Sequence, residues 1–208
     1  MKTLKTSLGI WPELKITLLF FFLALQTTSA QTVYKIDGGK DATLTVLGTS
    51  NVHDWTMVST SAESQGAFKF NAKDELIGLA NFNLTVSAKS LKSGKSSMDS
   101  RTYKSLKADE FPTISYQLKS VEISIVQANR FKILTKGTIT IAGKTEPITM
   151  AVTAALNADK SITCTGNTPL KLTDFGIEPP SFMLGAMKVG NDLTVKFNLN
   201  YTKATATK

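Results

Sequence analysis

The chain contains one histidine and one cysteine, so few kinds of chemistry are open to it. His53 is followed by Asp54, a pair of residue types that can act as a general base and its orienting carboxylate. Adjacent residues on a strand point to opposite faces, so Asp54 cannot orient His53 if this segment is a regular strand. No Gly-x-Ser-x-Gly nucleophile motif accompanies them. The sequence therefore predicts no catalytic site.

The same counts limit metal and disulfide chemistry. A single cysteine, Cys164, excludes an internal disulfide and any cysteine-rich zinc or iron–sulfur site, and a single histidine excludes a multi-histidine metal site. Cys164 has no neighbouring base that would lower its pKa, so we interpret it as a buried strand residue rather than a reactive thiol. We expect no metal and no catalytic cofactor.

A cluster of basic side chains offers a different kind of chemistry. Six Lys or Arg residues lie between positions 89 and 107, opposed only by Asp99. The candidates for contact with an anionic head group or an anionic membrane surface are Lys92, Lys95, Arg101 and Lys104. The alternative is an ordinary solvated surface, which is the commoner role of exposed lysines. Nucleic-acid binding is not expected, because the sequence has no nucleic-acid-binding motif.

Residues 1–30 have the features of a secretory signal peptide. Three lysines precede or adjoin an apolar run at residues 16–25, and small residues come before Gln31. A membrane anchor is the alternative, but a spanning helix needs about 20 apolar residues. No cysteine follows the small residues, so lipoprotein attachment is not expected. We expect cleavage after Ala30 and a soluble, exported protein that is periplasmic or secreted.

Residues 31–208 suit a single domain. The leader holds three Lys and one Glu, so 21 basic and 15 acidic side chains remain without it, a net charge of +6. Hydrophobic residues make up 42% of the whole chain, which is typical of globular proteins. Collagen-like, disordered and coiled-coil structures are therefore excluded.

From residue 33 onward the sequence predicts β-strands almost throughout. Runs rich in β-branched and aromatic residues alternate with polar residues and end at Gly, Asn or Asp. The predicted strands are 33–37, 42–47, 54–60, 66–71, 76–86, 113–125, 131–141, 145–155, 162–172 and 192–201. Short polar connectors indicate antiparallel hairpins. Closure into a barrel would remove exposed edges, and a two-sheet sandwich is the competing arrangement.

One segment breaks the alternation. Ser96 and Asp99 have the spacing of a helix-start motif, and the Phe111-Pro112 pair would stop a helix. The sequence therefore predicts one short helix over residues 97–108. It would be inserted between the two halves of the strand array.

Six short strings stand out, at residues 48–55, 91–99, 111–116, 137–145, 172–177 and 187–192. Their order and spacing resemble the YceI-like family of exported bacterial proteins, and the resemblance extends over residues 33–201. It implies an all-β, lipocalin-like antiparallel barrel of about eight strands whose apolar interior holds a polyisoprenoid, such as a quinone tail or a prenyl phosphate. It also implies a binding protein rather than an enzyme. The best-known branch has a second histidine just before the helix, where this chain has Ser96-Ser97-Met98.

A polyisoprenoid ligand requires an apolar, partly aromatic lining with few polar groups at its mouth. The candidates for that lining are Trp55, Phe68, Phe82, Tyr116, Phe131, Phe182, Met183 and Met187. The last three lie in a segment after Pro180 whose Pro and Gly content is typical of a loop, and such a loop can act as a lid. The alternative is that all eight side chains pack a filled core.

Two functional hypotheses follow. The first is an exported, non-catalytic barrel that sequesters or carries an isoprenoid lipid, either a quinone or a polyprenyl chain. The second is the same barrel packed solid, acting through its basic surface as an interaction or structural protein of the cell envelope. The sequence leaves the identity of the lipid and the oligomeric state open.

Overall fold

The computed structural model describes residues 31–204. The predicted signal peptide, residues 1–30, lies outside the described residues. Within them, strands dominate and one α-helix occurs: β1 (Thr32–Asp37), β2 (Ala42–Ser50), β3 (Trp55–Ser59), β4 (Glu63–Phe70), β5 (Leu76–Ser87), α1 (Ser96–Ser105), β6 (Thr113–Gln127), β7 (Arg130–Ile141), β8 (Lys144–Leu156), β9 (Ile162–Lys171), β10 (Ser181–Phe182) and β11 (Met187–Lys203). All ten predicted strands are present, with β10 as a short addition.

The strands close into an antiparallel barrel, which confirms the predicted fold and rules out the sandwich. Eight strands follow one another around the wall in the order β1, β4, β5, β6, β7, β8, β9 and β11. The ring closes where β1 pairs with the end of β11, with Tyr34 opposite Lys203. The backbone N–H of Ala204 adds a hydrogen bond to the Val33 carbonyl oxygen (2.9 Å). Closure leaves β1 and β11 without an open edge at this end of the barrel.

At the other end of the barrel, β2 and β3 continue the wall. β2 pairs with β11 along the same side that β1 uses, and β3 pairs with β2. A short 3-10 turn at Gly39–Asp41 separates β1 from β2. The far side of β3 meets the rest of the chain through a single bridge, in which Val58 and Lys92 exchange hydrogen bonds of 2.8 and 2.9 Å. We call the end that holds β3 and α1 the upper end.

The helix differs from its prediction at both ends. The residue that precedes it is Lys95, and the Asp99 carboxylate accepts hydrogen bonds from the Ser93 amide (2.7 Å) and hydroxyl (2.6 Å) rather than pairing with Ser96. These bonds hold the pKa of the Asp99 carboxyl below its ordinary value. The helix ends at Ser105, three residues before the predicted end, because the chain turns sharply at Lys107, whose φ is 50°.

The lower end of the barrel is packed solid with aromatic rings. Tyr34, Phe68 and Tyr201 are almost fully buried, and the centroid of Phe68 lies 5.2 Å from that of Tyr34 and 5.6 Å from that of Tyr201. The Tyr201 hydroxyl has a partner in the Ser64 hydroxyl (2.9 Å), which in turn donates to the Asn83 carbonyl oxygen (2.6 Å). A buried tyrosine is tolerated where its hydroxyl finds such a partner. Burial raises the pKa of Tyr201.

The single cysteine, Cys164, is buried on β9. Burial raises the pKa of its thiol to about 12, so the thiol stays protonated at neutral pH. Across residues 31–204, no helix combines the length and the apolar character that a membrane crossing requires.

Phe131 provides a test of this packing. It is 1% exposed in the lower core, so Phe131→Ala should lower the free energy of unfolding by about 3–5 kcal/mol through lost burial and the cavity it leaves. Urea denaturation followed by circular dichroism measures the change. Lys132→Ala, on the outer face of the same strand, is the control and should stay within about 0.5 kcal/mol of the parent. Equal effects of the two substitutions would contradict this description of the core.

Candidate ligand-binding cavity

The upper half of the barrel is hollow. A cavity of about 410 Å³ lies below the helix and the loops of the upper end. This volume is within the range of about 300–1,000 Å³ that ligand pockets occupy. Its walls are mainly aliphatic: Leu44, Val46, Met57, Leu84, Val86, Leu91, Leu106, Ile114, Ile139, Ile141, Leu170, Leu172, Ile177, Val189, Leu193 and Val195. Alternation along the strands points most of these side chains inward, and Leu91, Leu106, Leu172 and Ile177 come from segments between the strands.

A second, smaller cavity of about 120 Å³ continues the hollow toward the aromatic core. The two share part of their lining, so they are adjacent regions of one interior: Leu44, Leu84, Tyr116, Ile139, Leu170 and Val195. The smaller cavity is also lined by Phe82, Phe197 and Thr168. An apolar ligand that enters from the upper end can therefore extend toward the middle of the barrel.

The hollow exists because three inward-facing aromatic rings lie against glycines of a neighbouring strand. An added Cβ at Gly48 would come within 2.1 Å of the Trp55 ring, and one at Gly166 would come within 2.4 Å of the Phe197 ring. In the same way, a Cβ at Gly137 would lie 2.6 Å from the Tyr116 hydroxyl. Without a side chain beneath it, each ring can lie close to the wall, and the centre of the barrel stays open.

The floor of the hollow carries two hydroxyls that lack a partner. The hydroxyl oxygens of Tyr116 and Thr168 are buried and make no hydrogen bond of regular geometry within residues 31–204, although the Thr135 side chain lies near the Tyr116 hydroxyl. Burial raises the pKa of Tyr116, so its phenol is protonated and able to donate. A buried polar group without a partner costs about 1–3 kcal/mol. A ligand oxygen at this depth would supply the missing partner.

The mouth of the cavity, by contrast, is polar and basic. Lys95 and Arg101 lie on its rim together with His53, Ser97 and Thr102. The Arg101 guanidinium lies 4.3 Å from the centroid of the Phe182 ring, a cation–π contact that holds β10 against α1. Two cations beside an apolar opening favour a ligand with an anionic or strongly polar head.

Residues 26–201 match the sequence profile of the YceI-like domain. The chain belongs to the YceI-like family. The resemblance seen in the six short strings is thereby confirmed. A comparison with curated protein sequences finds no significant match.

Two solved structures share the fold of this YceI-like chain. BcnA of Burkholderia cenocepacia superposes with a TM-score of 0.61 at 17% sequence identity, over 78% of this chain and 96% of BcnA. A polyisoprenoid binding domain from Saccharophagus degradans, implicated in plant cell wall breakdown, gives a TM-score of 0.59 at 12% identity, over 84% of this chain and 100% of that domain. At these identities the likeness establishes the fold alone.

The predicted lining residues occupy three different environments in this YceI-like barrel. Those that line the larger cavity are Trp55, Tyr116, Phe182 and Met187, and those that line the smaller one are Phe68, Phe82 and Tyr116. Phe131 lines neither cavity and belongs to the packed lower core. Met183 points away from the interior and is 74% exposed. The segment after Pro180 therefore divides, with Phe182 and Met187 inward and Met183 outward.

The predicted basic residues also separate. Lys95 and Arg101 reach the mouth. Lys92 instead donates to the Tyr103 hydroxyl (2.7 Å), a bond that raises the pKa of Lys92, and Tyr103 donates to the Leu91 carbonyl oxygen (2.8 Å). Lys104 lies on the exposed surface of α1 and does not line the cavity. Lys92 thus helps to hold α1 against the segment before it.

Sequence reasoning missed the aliphatic wall and the helix underside. Val46, Leu84 and Val195 line the hollow, and the period-two pattern that predicted the strands also identifies their inward face. Leu106 reaches the cavity from just beyond α1. Its position depends on how the helix lies over the mouth, which no local pattern specifies.

His53 lies at the mouth without the arrangement of a catalytic pair. Its Nδ1 lies 2.8 Å from the backbone carbonyl oxygen of Asp54 rather than from the carboxylate. The ring is held by its own loop, where the His53 carbonyl oxygen accepts a hydrogen bond from the Ser50 hydroxyl (2.8 Å). A polar contact for a ligand head is the role that this geometry supports.

Gly48→Ala tests the dependence of the hollow on its glycines. The three atoms nearest to the new methyl group all belong to the Trp55 ring, so the ring should move toward the cavity and its fluorescence maximum should shift. With Trp11→Phe in all variants, Trp55 is the only tryptophan of the chain, so all tryptophan fluorescence comes from it. The control is Gly78→Ala, another strand glycine, where an added Cβ lies an ordinary 3.4 Å from Lys69. An unchanged Trp55 spectrum in Gly48→Ala would refute the proposed packing.

Proposed function

We propose that the chain is an exported, non-catalytic binding protein that carries an isoprenoid lipid, a quinone or a polyprenyl chain, inside the barrel. The observation that carries this proposal is the hollow of about 410 Å³, whose walls are aliphatic and whose rim is basic. Export rests on the signal-like sequence of residues 1–30. The description of the Saccharophagus degradans relative as a polyisoprenoid binding domain supports the ligand class.

The cavity volume limits how much of the ligand is enclosed. A cavity of about 150 Å³ holds one benzene molecule. On that scale, about 410 Å³ holds roughly 16 carbon atoms, or about three isoprene units. The smaller cavity of about 120 Å³ extends this to about four units. A longer lipid would leave the rest of its chain or its head outside the mouth.

The polar groups favour one orientation for a charged lipid. A prenyl phosphate would place its anionic head beside Lys95 and Arg101 at the mouth, with its tail among the aliphatic side chains. A quinone has the further option of giving the Tyr116 hydroxyl an acceptor at the floor. Both ligands use the same hollow and differ in which of its ends receives the head.

Mass spectrometry of organic extracts is the direct test. The full chain is purified without detergent from its native host, and its extract is compared with that of a mock purification. We expect one isoprenoid or quinone at close to one molecule per chain. Protein that is empty and also fails to take up added farnesol or geranylgeraniol would contradict the proposal and favour the solid-barrel interaction protein instead.

A cavity-filling substitution provides the structural test. Leu84 lines both cavities, so Leu84→Trp should occupy the passage between them and weaken geranylgeraniol binding at least ten-fold. Quenching of Trp55 fluorescence would be ambiguous in this variant, so binding is measured by retention of radiolabelled lipid after gel filtration. The matched control is Leu134→Trp, which places the same side chain on the outer face of β7. Equal retention by both variants would show that the lipid binds elsewhere.

A further inference from the structure

The most exposed large hydrophobic residues of the described part of the chain lie together at the mouth. Among residues 31–204, the three with the greatest exposure are Leu184, which is fully exposed, Met183 at 74% and Val52 at 59%. Single exposed apolar residues are normal on a protein surface, but a group of them beside a ligand cavity indicates an interaction site. We call Val52, Met183 and Leu184 the apolar tip.

Hydrogen bonds hold the two loops of the apolar tip together. The Asn51 side chain donates to the Ala186 carbonyl oxygen (2.9 Å) and accepts from the Lys188 amide (2.7 Å). The Asn51 amide also donates to the Lys188 carbonyl oxygen (3.0 Å). Val52, the next residue, is therefore held beside the turn that carries Met183 and Leu184. Both loops contribute residues to the cavity lining as well.

The backbone of the turn keeps its two apolar side chains outside. Met183 and Leu184 have φ angles of 55° and 56°, in the left-handed region that bulky residues rarely adopt. On one side of them the Phe182 ring is held by Arg101, and its carbonyl oxygen accepts from the Gly185 amide (3.1 Å). On the other side β11 begins at Met187, a cavity residue. A strained turn with inward anchors on both sides thus presents two apolar side chains to water.

Basic side chains surround the apolar tip. Arg101 contacts Phe182 beside the tip, and Lys104 lies one helical turn further along α1. Lys188 pairs with Ser181 at the base of the turn, and Lys95 lies on the rim. The same segments carry three carboxylates, Asp54, Asp99 and Glu178, so cations outnumber anions by four to three. Apolar groups bordered by an excess of cations match a bilayer whose surface is anionic.

We infer that the apolar tip inserts into the surface of an anionic phospholipid bilayer and places the mouth of the barrel against it. In this position a lipid passes between the bilayer and the cavity without exposing its chain to water. The transfer step rests on the proposed function, because it needs a lipid cargo. The docking step does not, because it depends only on the tip and on the charges around it.

Sedimentation with sucrose-loaded vesicles tests the docking. The exported protein, without residues 1–30, is mixed with vesicles of equal parts phosphatidylcholine and phosphatidylglycerol, or of phosphatidylcholine alone. We expect binding to the anionic vesicles, and at least a ten-fold loss of it in Met183→Ser, Leu184→Ser. Lys104→Gln and Lys188→Gln should each weaken it roughly five-fold, and raised salt should weaken it further.

The chain offers a matched control at the opposite end of the barrel. Ile125 and Val126 are an adjacent pair of apolar residues, 51% and 54% exposed, beside the turn between β6 and β7. Ile125→Ser, Val126→Ser removes the same kind of surface without touching the mouth, so it should bind vesicles as the parent does. Equal losses in the two double variants, or equal retention in both, would overturn the role of the apolar tip.

Two further outcomes separate this inference from the proposed function. If the parent retains geranylgeraniol but never sediments with anionic vesicles, the docking inference is wrong and the carrier proposal stands. If it sediments through the apolar tip but holds no lipid, docking stands and the carrier proposal is wrong. A second copy of the chain is the other partner that could cover the apolar tip, and analytical ultracentrifugation tests for it. A dimer that dissociates in Met183→Ser, Leu184→Ser, without vesicle binding, would make the tip an interface between copies of the chain.

Discussion

The hollow of this protein depends on where its aromatic rings lie. A barrel of eight strands has an interior that side chains can fill completely, and the lower end of this one is filled. Around the hollow, Trp55 lies over Gly48 on the neighbouring strand, and Phe197 lies over Gly166. The large side chains that would close the interior therefore line it. The open space at the centre of the barrel follows from this pairing of rings with glycines.

The polar groups of the site are distributed according to depth. Arg101 and Lys95 lie at the mouth, where water can solvate them. The hydroxyls of Tyr116 and Thr168 lie at the floor without partners, whereas Tyr201, deeper still, has one in Ser64. The lowest layer thus has its hydroxyls paired within the barrel, whereas the layer above it has two hydroxyls without such pairing.

The sequence predicted the strands, the barrel and the position of the helix, because period-two patterns and polar turns are local signals. It could not predict which aromatic side chains line a cavity and which pack only against other side chains. Phe68 and Phe131 have the same pattern and both belong to the core, but only Phe68 also lines the smaller cavity. That difference depends on the residues opposite each ring across the sheet, hence on strand register. The outward position of Met183 could not be predicted either. Its left-handed φ belongs to a turn, and no glycine stands at that position to indicate the turn in the sequence.

The closure of the barrel also determines the stage of folding at which the cavity forms. The wall is completed by pairing Tyr34, near the start of the described chain, with Lys203, near its end. Contacts between residues so distant in sequence form late and slowly, since a long loop must be ordered before they stabilise it. No part of the chain that lacks β11 can enclose the hollow, because β11 borders β9 on one side and both β1 and β2 on the other. Whatever occupies the hollow is therefore enclosed only after β11 has been synthesised and has paired with its neighbours on both sides.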